Sequence, residues 1–117
     1  MTEREPECLF CRIVAGEIPS DRVHEDDDVI AFRDISPQAP THVLVIPRRH
    51  IPDAHALTNS DADLLVKLFG VIRDVADAAG LTKGYRVVTN VGPESGQTVF
   101  HLHFHLLGGR SLSWPPG

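Results

Sequence analysis

Four absences limit what this chain of 117 residues can be. It has only two cysteines, Cys8 and Cys11, which excludes a disulfide framework and favours reduced thiols or metal ligands. It lacks any apolar run near the ~20 residues of a membrane span, and it lacks a charged-then-apolar leader, so the cytoplasm is the expected compartment. It also lacks a basic excess, because the formal net charge is −5, which argues against nucleic acid as the main ligand.

The composition is that of an ordinary globular domain, with 42% hydrophobic and 23% charged residues. A chain of this length is predicted to form one domain, residues 1–117, with a single hydrophobic core. An anionic ligand remains compatible with the acidic balance if histidines, backbone N–H groups and a few arginines meet its charge locally.

Hydrophobic periodicity and turn residues predict the order β-β-β-α-β-β after a short N-terminal helix. Strands are predicted over residues 22–25, 29–33, 41–47, 84–91 and 101–107, and helices over residues 8–15 and 61–79. Ser60 is the predicted N-cap of the long helix, with Asp63 three residues on, and Gly80 is its predicted C′ residue. The order indicates an α+β fold in which the helix packs on an antiparallel sheet.

The segment HLHFHLL at residues 101–107 is the most informative motif. In an extended strand the three histidines share one face, roughly 6–7 Å apart, while the apolar residues between them share the other. Histidine serves as nucleophile, acid, base or metal ligand near neutral pH. Taken alone, the motif also fits a metal-binding or a merely solvated strand face.

The same segment is the H-φ-H-φ-H-φ-φ signature of the histidine triad superfamily, and the chain resembles its Hint branch most closely. Four further blocks resemble Hint segments in the same order, namely FCRIVAGEIP at residues 10–19, FRDISPQAPTH at 32–42, VIPRRH at 45–50 and WPPG at 114–117. The resemblance therefore covers nearly the whole chain.

This resemblance implies a five-stranded sheet, joined across a homodimer into one larger sheet. It also implies a purine nucleotide pocket and hydrolysis of nucleoside 5′-phosphoramidates, or of aminoacyl adenylates, to the nucleoside monophosphate. The alternatives are a dinucleotide polyphosphate hydrolase and a nucleotide-binding interaction module with vestigial catalysis. The WPPG ending favours the Hint branch over the first. The joint presence of His42, Thr98 and the triad argues against the second.

Residue roles follow from the resemblance position by position. His103 is expected to be the nucleophile that forms a covalent nucleotidyl-imidazole, with His42, His101 and His105 around it and Thr98 assisting the leaving group. The remaining substrate contacts are expected from Asp34 at the ribose, from Phe10, Ile13, Ile18, Phe32 and Ile35 at the base, and from Asn90, Gly96, Gln97 and Thr98 at the phosphate. Without the resemblance, Asp34 is interpreted as a turn-initiating acid and Thr98 as a residue that favours a β-strand. The five apolar residues are then interpreted as ordinary core residues.

The two cysteines form a C-x-x-C pair, which is weak evidence by itself. Zinc needs about four ligands, and His50 and His101 complete a Cys2His2 set. Some bacterial-type relatives carry zinc in this arrangement, so a structural zinc on Cys8, Cys11, His50 and His101 is expected, with no catalytic metal. The alternatives are two plain thiols or a redox pair. If His101 binds zinc, it is not available to contact phosphate.

Overall fold

The computed structural model describes residues 5–117, so the first four residues of the predicted domain lie outside the described range. Five antiparallel strands form one sheet in the order β1-β2-β3-β5-β4. The strands are β1 (Arg22–Glu25), β2 (Val29–Arg33), β3 (Thr41–Pro47), β4 (Tyr85–Val88) and β5 (Phe104–Gly108). The α+β prediction is confirmed, and β3 and β5 lie side by side at the centre, where Leu44 is opposite His105.

Each face of the sheet carries one helix. The long helix α2 (Ala62–Ala78) packs on the face that carries Val43 and Val45 of β3. Because side chains alternate along a strand, His42, Leu44 and Ile46 lie on the opposite face. That second face is covered by the short helix α1 (Leu9–Val14), whose Phe10 and Ile13 pack with Leu44 and Ile46. As predicted, the apolar residues of the histidine segment pack on the α2 side, namely Leu102, Phe104 and Leu106.

The ends of α2 test the capping predictions. The predicted N-cap Ser60 is wrong, because the N-cap of α2 is Asp61. Ser60 lies inside a preceding 3-10 turn, Asn59–Asp61, whose N-cap is Thr58, and the Thr58 N–H donates to Asp61 Oδ2 at 2.9 Å. Asp61 is held in this position because Arg49 also contacts its carboxylate. The C-terminal prediction is confirmed, since Gly80 has φ +70° and its N–H donates to the Asp77 carbonyl. This is the left-handed conformation that glycine adopts most easily.

Two strands are shorter than predicted. The last strand begins at Phe104 rather than at residue 101, because the Leu102 N–H donates to the Ile51 carbonyl at 2.6 Å instead of joining the ladder. The fourth strand ends at Val88, and the next residue, Thr89, uses its hydroxyl to donate to the His103 carbonyl at 2.8 Å. His101 and His103 therefore lie in an irregular segment just before β5.

Among the described residues, none of the helices combines the length and apolar character needed to cross a membrane.

Candidate active site and metal centre

Four predicted metal ligands meet at one point. The sulfur atoms of Cys8 and Cys11 and the Nδ1 atoms of His50 and His101 all lie within 4.8 Å of one another. Cys8 Sγ lies 3.4 Å, and Cys11 Sγ 3.5 Å, from His101 Nδ1, and Cys11 Sγ lies 3.3 Å from His50 Nδ1. The two Nδ1 atoms are 3.3 Å apart. The α1 start, the segment after β3 and the histidine segment each supply ligands.

These separations fit a tetrahedral zinc site. With Zn–S near 2.3 Å and Zn–N near 2.05 Å, tetrahedral geometry places S and N about 3.5 Å apart and two N atoms about 3.3 Å apart. The other ring nitrogen of His101 donates to the Pro47 carbonyl at 2.8 Å, which leaves the Nδ1 lone pair directed at the cluster. The Cys11 and Glu5 N–H groups donate to Cys8 Sγ and Cys11 Sγ, each at 3.3 Å, as suits thiolates. The donor set and its surroundings therefore fit zinc.

A backbone carbonyl also sets the protonation of His103. Its Nδ1 lies 2.7 Å from the His101 carbonyl oxygen, which can only accept, so Nδ1 carries the proton. In the neutral ring, Nε2 then holds a free lone pair. Such an imidazole is a usable nucleophile at neutral pH.

Beside His103, a second chain of hydrogen bonds runs in one direction. The Gln38 N–H donates to His42 Nδ1 at 3.0 Å, so the neutral His42 ring carries its proton on Nε2. That Nε2–H donates to His105 Nδ1 at 2.9 Å. His105 therefore carries its own proton on Nε2, and its ring centroid is 5.0 Å from that of His103. The site thus offers a lone pair on His103 next to an N–H donor on His105.

Asp34 supplies the negative charge of this group. Its Oδ2 lies 3.5 Å from His42 Nε2, while its Oδ1 accepts the Ser36 N–H at 2.8 Å. The second contact is the turn-initiating role that the residues alone indicate, and ribose binding by Asp34 stays a prediction.

Hydrogen-bond directions separate the two clusters of metal-ligating residue types. Asp34, His42 and His105 also lie close enough to hold an ion. A metal-bound imidazole needs a proton on its other nitrogen. That nitrogen of His42 instead accepts the Gln38 N–H. The geometry thus favours metal at the cysteine–histidine cluster and hydrogen bonding at the Asp34 cluster.

Burial keeps these rings neutral. Desolvation lowers the pKa of His105 to about 4, with smaller contributions from His103 and His42, and opposed by Asp34. Desolvation also lowers the pKa of His42 and His103, against the same carboxylate. The pKa of His101 falls to about 4 for the same main reason. Neutral rings retain the lone pairs that nucleophilic attack and metal binding both require.

The predicted base-pocket residues lie mainly together. Phe10, Ile13 and Phe32 are buried in one cluster, and Ile18 packs against it. Phe10 stacks edge-on against Phe32 at 5.5 Å and against His103 at 5.1 Å between centroids. Ile35 is not brought to this cluster, since it is 99% exposed in the turn after Asp34. Its assignment to the pocket stays a prediction.

The predicted phosphate-side residues occupy different environments. Gln97 is 3% exposed, and its side chain accepts the Gly92 N–H and donates to the Pro52 and Val99 carbonyls. It braces the loop around the 3-10 turn Pro93–Ser95 from inside. Gly96 and Thr98 are exposed on that loop, and Gly96 has φ +102°. Asn90 is half-buried just after β4.

Sequence reasoning missed several groups that hold the site. The Thr89 hydroxyl holds the His103 carbonyl, and the Arg110 guanidinium donates twice to the Gln38 carbonyl, at 2.9 and 3.0 Å. Pro47 acts through its carbonyl oxygen alone. None of these has a side-chain pattern in the sequence that indicates the role, because each contact joins segments far apart in the chain.

The chain is similar in sequence and structure to known proteins. Residues 15–112 match the family model of the HIT domain. The chain is 53% identical over 109 residues to an uncharacterized HIT-like protein of Synechococcus elongatus, covering 93% of this chain and 96% of the relative. The crystal structure of a HIT family hydrolase from Legionella pneumophila Philadelphia 1 is 50% identical, covers 95% of this chain and 100% of that one, and superposes with a TM-score of 0.93. A histidine triad protein from Clostridium difficile is 40% identical with a TM-score of 0.90, covering 94% and 96%.

Proposed function

Because the chain belongs to the histidine triad (HIT) family, we propose that it is a Hint-like hydrolase that cleaves purine nucleoside 5′-phosphoramidates, or aminoacyl adenylates, to the nucleoside monophosphate. The hydrolase named among its structural neighbours supports the reaction class. The observation that carries the proposal is the His103 ring, whose Nδ1–H is bound to the His101 carbonyl and whose Nε2 is left free.

The reaction takes two displacements at phosphorus. In the first, His103 Nε2 forms a bond to the phosphorus, the P–N bond to the leaving group breaks, and the departing amine takes up a proton. In the second, water attacks the phosphorus, the P–Nε2 bond breaks, and the water proton replaces the one that left with the amine. Throughout, the Nδ1–H stays on the His101 carbonyl, which stabilises the positive charge on the intermediate imidazole.

The neighbouring residues take the roles of binding and positioning. His105 Nε2–H donates to a phosphate oxygen and is oriented by His42. Thr98, exposed on its loop, assists proton transfer to the leaving group. Asp34 holds the ribose through the oxygen that the Ser36 N–H does not occupy. The apolar cluster of Phe10, Ile13, Ile18 and Phe32 faces the base. Ile35, exposed in the turn after Asp34, contacts the base from outside this cluster.

The metal has a structural role in this proposal. Cys8, Cys11, His50 and His101 hold zinc, which links α1 to the histidine segment and supplies no chemistry to the substrate. His101 is thereby removed from the phosphate and acts through its carbonyl. Metal analysis of protein purified without added zinc tests this, and a content near one zinc per chain is expected. A content well below one contradicts the zinc assignment.

The decisive experiment measures hydrolysis of an adenosine 5′-phosphoramidate by the wild type and by His103→Ala. We expect turnover by the wild type, and loss of at least about 10³-fold in the variant, because the nucleophile is gone. His24→Ala is the matched control, since His24 is a partly exposed histidine whose ring is bound to Asp26 away from the site. Equal turnover in wild type and His103→Ala contradicts the nucleophile assignment.

The same assay separates the alternatives. Faster turnover of diadenosine polyphosphate than of phosphoramidate identifies a dinucleotide polyphosphate hydrolase instead. AMP binding without turnover of either identifies a nucleotide-binding module.

The homodimer implied by the Hint resemblance belongs to the same proposal. β4 lies at the edge of the sheet, so its outer backbone groups are free to pair with a second copy. Light scattering at micromolar concentration tests this, and a mass of one 12.9 kDa chain contradicts it.

A further inference from the structure

We propose that the cysteine–histidine cluster positions the His103 ring. Metal binding at the cluster then changes kcat, and leaves the affinity for the substrate nearly unchanged. The inference rests on the proposed function for its kinetic readout.

The first link runs through the backbone. The His101 ring reaches the cluster through Nδ1, and the carbonyl of the same residue accepts the His103 Nδ1–H at 2.7 Å. Movement of the His101 ring and backbone therefore moves the acceptor that sets both the tautomer and the direction of the His103 ring. The His101 ring is fully buried and its other nitrogen is held by the Pro47 carbonyl, so the cluster and Pro47 together fix its orientation.

The second link runs through α1. Phe10 lies directly before the ligand Cys11, and its ring meets His103 at 5.1 Å and His101 at 6.0 Å. The helix has six residues, far fewer than the ~12–15 at which isolated helices become even marginally stable. Its position against His103 thus depends on tertiary anchors, and the contacts of Cys8 and Cys11 with His101 Nδ1 are polar anchors of this kind.

The segment that carries His101 and His103 needs such an anchor. Residues 97–103 belong to no helix or strand. The Leu102 N–H to Ile51 and the Thr89 hydroxyl to the His103 carbonyl hold the backbone on one side, and the cluster holds it on the other. Without the metal, the cluster is held by sulfur–nitrogen contacts of 3.3 to 3.5 Å, which are weaker than zinc–ligand bonds. The His101 ring and its carbonyl are then less firmly fixed.

Cys8→Ser is the sharpest test. Cys8 is the N-cap of α1 and its sulfur accepts the Cys11 N–H, and serine is a good N-cap, so the variant keeps the cap while weakening the metal site. Arg12→Ala is the matched control, because Arg12 is an exposed residue of α1 whose partner is Glu17. Metal content, the ¹⁵N spectrum of the His103 ring at mildly alkaline pH, and kcat and KM for the phosphoramidate are measured for each.

We expect Cys8→Ser, prepared without added zinc, to lose metal and to show a mixture of His103 tautomers in place of the Nδ1–H form. We expect kcat to fall by up to about 10²-fold, the cost of misplacing a reacting group by about 1 Å, with a much smaller change in KM. Saturating zinc should restore the spectrum and kcat together, and Arg12→Ala should match the wild type in all three readouts.

Metal loss with an unchanged His103 spectrum and unchanged kcat overturns the inference and leaves the proposed hydrolase intact. A rise in KM alone also overturns it, because the cluster would then act on binding. If no protein turns over phosphoramidate, the proposed function fails, but a spectrum that follows zinc still supports the positioning link. A wild type that binds no zinc overturns the inference directly.

Discussion

Replacement of Gln97 by alanine tests whether this residue braces the loop or contacts substrate. Its buried side chain makes three hydrogen bonds to backbone groups, at 2.8 Å with Gly92 N, 2.9 Å with the Pro52 carbonyl and 3.1 Å with the Val99 carbonyl. At about 1 kcal/mol each, their loss sums to about 3 kcal/mol. Water entering beside the exposed Pro52 recovers part of this, so we expect a loss of about 2–3 kcal/mol.

Urea unfolding at a buffered zinc concentration measures this difference, since metal binding otherwise changes the apparent stability. Gln38→Ala is the matched control, because Gln38 is exposed and its amide makes one hydrogen bond, to the Ser36 carbonyl. We expect the control to lie within about 0.5 kcal/mol of the wild type.

Gln97→Glu sharpens the test because it keeps the acceptor for Gly92 N and removes both donors. A carboxylate facing two carbonyls raises its pKa in the folded state. The protonated side chain therefore contributes to the free energy of unfolding below the unfolded pKa of about 4.3, and this contribution is lost as the pH rises through the folded pKa. We expect Gln97→Glu to be at least as destabilised as Gln97→Ala at neutral pH, and the gap from Gln97→Ala to narrow or reverse in acid. For Gln97→Ala, a loss of stability under about 0.5 kcal/mol together with a raised KM refutes the bracing role and assigns the side chain to substrate binding.

Three further changes follow from the structure. Thr89→Val, which keeps the shape and removes the hydroxyl on the His103 carbonyl, should cost about 1 kcal/mol in urea unfolding, and no change would mean that water replaces the bond. The folded pKa of His105 is near 4, so below pH ~6.5 the unfolded chain binds more protons and the free energy of unfolding should fall as the pH drops towards 4. In urea unfolding at several acidic pH values, His105→Gln should show a shallower fall than the wild type. An equal slope would assign the loss to other groups. Gly109→Ala places a methyl group 2.9 Å from Pro40 Cβ at φ +90°, whereas the methyl group of Gly80→Ala at φ +70° meets open space. Thermal unfolding should therefore show a loss of stability that is larger for Gly109→Ala by about 1–3 kcal/mol. The reverse order would contradict the close contact with Pro40.

Much of the fold was predictable because the information is local. The continuous apolar runs in β2 and β3, the 3–4 residue spacing in α2 and the glycine at position 80 each determine their element from neighbours in the chain. The start of α2 was not predictable from local sequence, because two residue pairs have the spacing of a capping box, Thr58 with Asp61 and Ser60 with Asp63. Arg49, twelve residues earlier, selects the first pair by contacting Asp61.

The candidate site divides in the same way. The residue types and their alternation indicated which histidines would be neighbours, and the cysteine–histidine set meets as expected. The strand that was predicted to carry all three histidines begins only at Phe104, because the His101 ring turns to the cysteines and Leu102 bonds to Ile51. Which nitrogen of each ring carries the proton depends on carbonyls from remote segments, and no side-chain pattern records those.

The carbonyls of Pro47 and His101 place the protons on the His101 and His103 rings. Every amino acid has a carbonyl group, so substitutions at position 47 leave that acceptor in place as long as the chain keeps its path. Position 101 tolerates less, because its imidazole is also a donor of the cysteine–histidine cluster. The path of the backbone therefore determines which nitrogen of the His101 and His103 rings carries the proton. Insertions or deletions in the short connection between β3 and His50 should damage it more than substitutions there, and a designer transplanting the site to another scaffold would have to copy a chain path before copying any side chain.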